Sequence, residues 1–366
     1  MSLPLPTAEP EGVAPPLAPK RAGSNGQIIR AYLMENVAEF RELSDIRKKG
    51  WSNPQGDKYF ERQRQAADKP NEKTSKFFHT LMLKIGREFH RSTKAFTARK
   101  GLPGSGEQTT VLDMCMAPGG FLEMALDRNP GSRAVAFSLP VDNGGHEVRM
   151  RSELMDRVEA KFLDITMLAA DMGVDQIPQD HPEAGAFLPR QLEPGQMFDL
   201  IFCDGQVLRT HARAPYREPR EARRLTSTQL ALGLEHMRFG GTMIVLLHRA
   251  EGWNTVCLLQ RFCQFSRVRL FKPWAGHAKR SSFYLVATDV RSRKPEALEA
   301  IAWWKRVWRV ATFGSDDEYA NVLNGEDVKA EELLAEFGPE LVRMGRPVWR
   351  IQAQALAKAS FITEQE

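Results

Sequence analysis

Residues 111–126, VLDMCMAPGGFLEMAL, decide how this chain is read. An apolar run ends in Asp113, four small residues follow (Ala117, Pro118, Gly119 and Gly120), and a helical pattern begins near Phe121. This is a strand, a tight turn and a helix start in immediate succession. Such a turn lets the backbone approach a ligand at a helix N-terminus, where unpaired N–H groups and the helix dipole favour a carboxylate. A dinucleotide site would carry GxGxxG here, and the segment lacks it. A tight turn with no ligand is the plainer alternative, and the rest of the chain has to decide between them.

Outward from this motif the chain alternates short apolar runs with helical segments, the pattern of a parallel sheet with crossover helices. Strands are expected at 110–114, 134–138, 159–163, 200–203 and 241–247, with a late pair at 266–271 and 282–288. Helices are expected near 121–127, 145–155 and 226–238. Pro273 and Gly276 separate the last two strands, which makes them antiparallel neighbours. Before the sheet, apolar residues at helical spacing over 27–50 and 76–96 predict two amphipathic helices, the second with a basic flank that includes Lys76 and Lys84. The polar stretch 51–73 between them reads as partly loop. After the sheet, a helix around 301–310 carries Trp303, Trp304 and Trp308, at a spacing that favours packing over base stacking. The expected class is α/β, a Rossmann-like sheet with helices on both faces and helical extensions at both ends.

The bulk properties fit this reading. A chain of 366 residues that is 42% hydrophobic can bury a full core. Cys115, Cys203, Cys257 and Cys263 form no CxxC pair, and they read as reduced core thiols of an intracellular protein, cytoplasmic or nuclear. No metal site is expected. No apolar stretch approaches the roughly 20 residues of a membrane span. The first 26 residues, rich in Pro, Gly and Ala, read as a disordered tail. A formal charge of +5 does not by itself establish a polyanionic partner. Its distribution carries more: Arg residues crowd segments 209–224 and 261–280, the second without any acid, which points to phosphate or RNA binding unless Arg–Glu pairs absorb them.

APGGF at 117–121, FDLIFCDG at 198–205, LEHMRFGGTMIVLL at 234–247 and FKPWAGHAKRSSFYLVATD at 271–289 resemble, in order and spacing, the FtsJ-like methyltransferases. The resemblance implies a Rossmann-like methyltransferase domain over 106–290, flanked by helical regions at 27–105 and 291–366. It also implies S-adenosylmethionine as cofactor, with its amino-acid end against Asp113 and the turn 117–121, and an RNA ribose 2′-hydroxyl as the default methyl acceptor.

The family's Lys, Asp, Lys, Glu tetrad carries over only in part. Asp204 matches the aspartate, whereas Leu246 stands at the central lysine and Ser282 at the glutamate. The first lysine falls near Thr80, with Lys76 and Lys84 one turn to either side. His248, at the end of the strand that lacks the lysine, is a candidate substitute base. Where the family has an acid for the cofactor ribose this chain has Ser138, with Asp142 in the following loop, and Asp164 takes the adenine-contact position or caps a helix. An incomplete tetrad implies ribose methylation below the family norm. It leaves open a binding protein without catalysis and an O-methyltransferase of a small metabolite with a more acidic hydroxyl.

Overall fold

The computed structural model describes residues 22–68, 72–101, 108–324 and 328–363. Of the expected disordered tail over 1–26, residues 1–21 lie outside them, and residues 22–26 begin a helix instead. Four helices come first: α1 (Ala22–Asn36), α2 (Ala38–Trp51), α3 (Pro54–Asp68) and α4 (Glu72–Thr93). The central part runs β1 (Thr110–Asp113), α5 (Gly120–Arg128), β2 (Arg133–Ser138), α6 (Ser152–Met155), β3 (Val158–Phe162), β4 (Phe198–Cys203), α7 (Glu221–Glu235) and β5 (Met237–His248). It continues through α8 (Trp253–Phe265), β6 (Arg267–Phe271) and β7 (Ser282–Val290). The chain then ends in α9 (Pro295–Phe313), α10 (Asp316–Asn324), α11 (Ala330–Ala357) and α12 (Ser360–Thr363).

The seven strands form one sheet in the order β3-β2-β1-β4-β5-β7-β6. Pairing is parallel from β3 through β5, and β7 is antiparallel to both β5 and β6. Side chains alternate between the two faces, as a pleated strand requires. Val111, Leu200, Phe202, Ile244, Tyr284 and Val286 pack with Ile85 and Phe89 of α4 and Phe121 and Leu122 of α5. Leu112, Ile201, Met243, Val245, Phe283 and Leu285 face the other core, with α1, α2, α7, α8, α9 and α11.

Three expectations change. The helix over 27–50 is two helices meeting at Val37, whose backbone is extended (φ −132°, ψ 105°). The stretch read as partly loop is largely the helix α3. The helix expected at 145–155 survives only as α6, because Gly145 is wedged against the backbone of Leu139 and Pro140 and the chain to residue 151 runs irregularly. The tryptophans pack, as their spacing favours: Trp304 and Trp308 are buried, and the Trp308 indole N–H donates to the Thr166 carbonyl at 3.0 Å.

The segments before and after the sheet pack against each other on it. Phe40 of α2 meets Trp349 of α11 edge-on at 5.4 Å. Arg47 reaches Glu251 at 2.6 Å and Gln352 at 2.9 Å, and Asn53 donates to the Phe361 carbonyl at 2.7 Å. On the other face α4 crosses α5 where Gly120 leaves room, since a Cβ there would stand 2.6 Å from the Met82 Cβ. Gly120→Ala is therefore expected to lower the unfolding free energy by about 1–3 kcal/mol through overpacking. Urea denaturation measures it, and an unchanged midpoint would mean that α4 shifts off α5 without cost.

Candidate functional site

Parallel strands end at one edge of the sheet, and in open α/β folds ligands bind beyond that edge. Here a cleft of about 770 Å³ lies along it. Ala117 and Pro118 after β1, Ser138 and Leu139 at the end of β2, Asp204 after β4, and Leu246 of β5 line it. The β6–β7 loop adds Trp274, His277, Lys279 and Arg280, while α4 covers one side with Phe77, Phe78, Leu81, Met82 and Ile85. Tyr59 and Phe60 of α3 and Ala355 and Lys358 at the end of α11 complete the wall.

Of the residues expected to hold a cofactor, Ala117, Pro118 and Ser138 line the cleft, and the others have different duties. Asp113 is buried and shapes the turn by accepting from the Cys115 N–H at 3.1 Å. Phe121 belongs to an aromatic cluster with Phe96, Phe202 and Tyr284. Gly119 has φ +102°, and a Cβ on it would strike the Met150 side chain. The two glycines thus serve turn geometry and close packing. Asp164 is the N-cap: its Oδ1 accepts from the Thr166 N–H at 2.9 Å and its Oδ2 meets Arg217 at 3.0 Å. Asp142 is exposed in a 3₁₀ turn.

Asp204 lies in the cleft as its motif implied. Burial pushes its carboxyl up to about 7, offset only by a backbone hydrogen bond. Burial and the nearby Asp204 raise Asp113 as well, against the pull of the Cys115 N–H. Among the described residues no Lys or Arg offsets the rise of either carboxyl. Lys76 and Lys84 are exposed on the outer face of α4, away from the cleft, which withdraws them as tetrad substitutes. His248 stands at the exposed end of β5 and does not line the cleft either, and its pKa is lowered by partial burial and by Lys272, Arg280 and Arg249.

The sequence reading missed a polar cluster behind Leu246. Leu246 pairs across the sheet with Tyr284, and His248 with Ser282. Ser282, at the glutamate position, shares a 2.7 Å hydrogen bond with His277 Nδ1, and His277 Nε2 lies 3.4 Å from the Tyr284 hydroxyl. Burial first, then Lys272, Arg280 and His248, push His277 down to about 3, so this imidazole is neutral and acts as a hydrogen-bonding group. Lys272 is buried, and its ammonium donates to the carbonyls of His277, Arg280 and Ser282 at 2.9, 2.6 and 2.9 Å. Those bonds fix the β6–β7 loop and leave Lys272 no donor for chemistry. The available signal was a His, a Lys and an Arg within one loop between the last two strands.

The Arg-rich segment 209–224 turns largely inward, contrary to its reading as a phosphate surface. Arg217, Arg220 and Arg224 are buried. Arg217 pairs with Asp164 and Glu221, Arg224 with Glu221 at 2.7 Å, and Arg220 with Asp316. In segment 261–280 only Lys279 and Arg280, among the basic residues, line the cleft. Among the described residues no helix is long and apolar enough to cross a membrane.

Residues 92–290 match the family of FtsJ-like methyltransferases. No curated protein matches the sequence. Among solved structures the chain is similar to an rRNA methylase from Streptococcus thermophilus, with 10% identity over 58% of this chain and 95% of that one and a TM-score of 0.29. It is similar to an O-methyltransferase family protein from Burkholderia thailandensis, with 11% identity over 75% and 74% and a TM-score of 0.31. A SAM-dependent methyltransferase from Aquifex aeolicus shares 15% identity over 63% and 98%, with a TM-score of 0.32.

The Asp204 carboxyl sets a stability test. An unfolded aspartate releases its proton near 3.8, whereas the folded one keeps it to about 7. Between those values the folded state binds the extra proton, so this group's contribution to stability falls as pH rises through the window. Asp204→Asn is expected to unfold at higher urea than the wild type at pH 8 and at nearly the same urea near pH 3.5, below the unfolded value, with the gap opening as pH rises between them. Equal midpoints at both pH values would show that the carboxylate is not held at a cost.

Proposed function

We propose that this chain, which belongs to the FtsJ-like methyltransferase family, transfers a methyl group from S-adenosylmethionine to an RNA ribose hydroxyl, with Asp204 as the proton acceptor. The observation that carries the reading is the place of Asp204 in the cleft, at the end of β4 between the turn after β1 and Leu246 of β5, where burial raises its carboxyl to about 7. A general base works best when its pKa lies near the working pH.

The residues present fit the cofactor. The cleft carboxyl of Asp204, with the Asp113 carboxyl buried behind it, suits a ligand that carries positive charge, as S-adenosylmethionine does on its sulfur and its α-amino group. Ala117 and Pro118 would sit beside its amino-acid end, and the Ser138 hydroxyl at the end of β2 would meet its ribose. When bound, the cofactor supplies an activated methyl group on a cationic sulfur. Asp204 orients the acceptor hydroxyl and takes its proton as the new bond to oxygen forms. The cationic ligand itself favours the ionised carboxylate, so the base is readied by the event that brings the methyl group. Leu246 gives the acceptor an apolar side wall and no proton acceptor.

A second reading has its own support. Leu246 and the neutral Ser282–His277 pair replace groups that would help deprotonate a ribose hydroxyl, which favours a more acidic phenolic or carboxylic acceptor. Transfer of a labelled methyl group to total RNA and to small phenolic and carboxylic acceptors, with Asp204→Ala as control, separates the two. RNA labelling that is lost in the variant supports the ribose, labelling of small acceptors alone supports the metabolite, and cofactor binding without transfer to any supports a binding protein.

Two further outcomes are expected. Calorimetry below pH 7 in buffers of different ionisation enthalpy should show proton release on S-adenosylmethionine binding, and Asp204→Asn should reduce it, leaving only what Asp113 contributes. Leu246→Lys, which places an ammonium beside Asp204, should raise the rate on RNA by up to about 10²-fold. An unchanged rate would mean that the missing lysine does not limit this enzyme.

A further inference from the structure

The strand order divides the cleft. Ser138 ends β2, two strands from Asp204 on β4, and the β6–β7 loop precedes β7, two strands from β4 on the other side. At ~4.8 Å between strands, each lies roughly 10 Å from Asp204 along the edge. Asp204 therefore stands between the proposed donor end and a second end, where an acceptor must enter.

The second end has a marked composition. Among the described residues, the three Lys or Arg side chains that line the cleft, Lys279, Arg280 and Lys358, are there, and its one acid is Asp204. Aromatic rings accompany them. Tyr59 lies beneath the Lys279 ammonium at 5.1 Å and meets Phe60 edge-on at 5.2 Å, both rings being only partly buried. Trp274 is 50% exposed at the rim, and its backbone N–H donates to Glu88 at 2.7 Å. The wall is rigid: Lys272 fixes the loop through three carbonyls, and Asn53 ties the α2–α3 junction to Phe361. Tyr59, Phe60 and Lys358 lie outside the residues matched by the family, whereas Trp274, Lys279 and Arg280 lie within them, so segments before and after the matched residues complete this end of the cleft.

We infer that Tyr59, Phe60, Trp274, Lys279, Arg280 and Lys358 form a binding subsite for single-stranded RNA, its bases stacking on the rings and its phosphates meeting the cations. The inference rests on Asp204 marking the reacting centre. Cations alone would suit any anion, and rings alone any flat molecule. The two together at one end of the cleft suit a strand that carries both phosphates and bases.

The test uses the full chain, a fluorescein-labelled 12-residue RNA of mixed sequence, and anisotropy titrations over a range of salt. The double variant Lys279→Gln, Lys358→Gln should weaken binding about tenfold at moderate salt. It should also flatten the slope of log K against log salt by roughly 1.4, about 0.7 for each lost contact. Trp274→Ala should weaken binding about 5- to 100-fold. Calorimetry with S-adenosylmethionine should be unchanged in all of them. RNA that binds the variants with wild-type affinity and slope overturns the subsite. So does a wild type that binds the cofactor but not RNA, and so does adenosine monophosphate binding as tightly as the 12-mer, which would mark a site for a small nucleotide. RNA binding lost in the variants without methyl transfer by the wild type supports the subsite and refutes the catalytic reading alone.

Discussion

Parallel pairing from β3 to β5 forces five strand ends to one edge of the sheet, and the antiparallel insertion of β7 brings the β6–β7 loop to that same edge. Nearly all else about the site follows from this. Ser138, Cys115, Asp204, Leu246 and Tyr284 come from five different strands or strand ends and are distant in sequence, yet they face one cleft because backbone hydrogen bonding fixes which ends coincide. The helices on the two faces bury the sheet and, in so doing, wall the edge: α4 does so from one face, and α3 with the end of α11 from the other segments.

Electrostatics within that edge are unusual for the family pattern. A lysine at position 246 would neutralise Asp204. Leu246 leaves a buried carboxyl without a counter-charge, and such a group relieves the cost of burial by keeping its proton. The cations that are buried serve the frame. Lys272 spends three donors on loop carbonyls, and Arg217 and Arg224 tie the turn at Asp164 and Thr166 to Glu221 at the start of α7. Losing one partner of such a buried network costs more than an exposed ion pair contributes, because the remaining charge is stranded. These residues are accordingly structural, and the recognition of any anionic acceptor is left to the few cations that reach the cleft.

The terminal helices share this logic. Arg47 of α2, Glu251 after β5, and Gln352 and Trp349 of α11 meet at one point, so that segments some three hundred residues apart brace the strand end that carries Leu246. Aromatic packing of Phe40 on Trp349 and of Tyr59 and Phe60 on Phe361 continues the contact to α12. Through these contacts, residues outside the family's segment become part of its cleft.

The sequence by itself determined the class of fold. Alternating apolar runs located all seven strands, the Asp113-to-Gly120 turn marked the first crossover, and FDLIFCDG placed Asp204 at a strand end on the cleft side. These are legible because period and spacing are local properties of a chain. What a side chain touches is not local. The polar stretch 51–73 hid the α3 ring pair, because burial of Tyr59 and Phe60 depends on α12, which lies three hundred residues away. An arginine in 209–224 reads as a phosphate ligand or an internal ion pair on identical sequence evidence, and only the packing of α7 against Thr166 and α9 turned Arg217 and Arg224 inward. Likewise Lys76 and Lys84 share a helix with the cleft-lining Phe77 and Leu81, and which of its faces meets the sheet was decided where Gly120 lets α4 approach α5, a contact between segments that only the folded chain brings together.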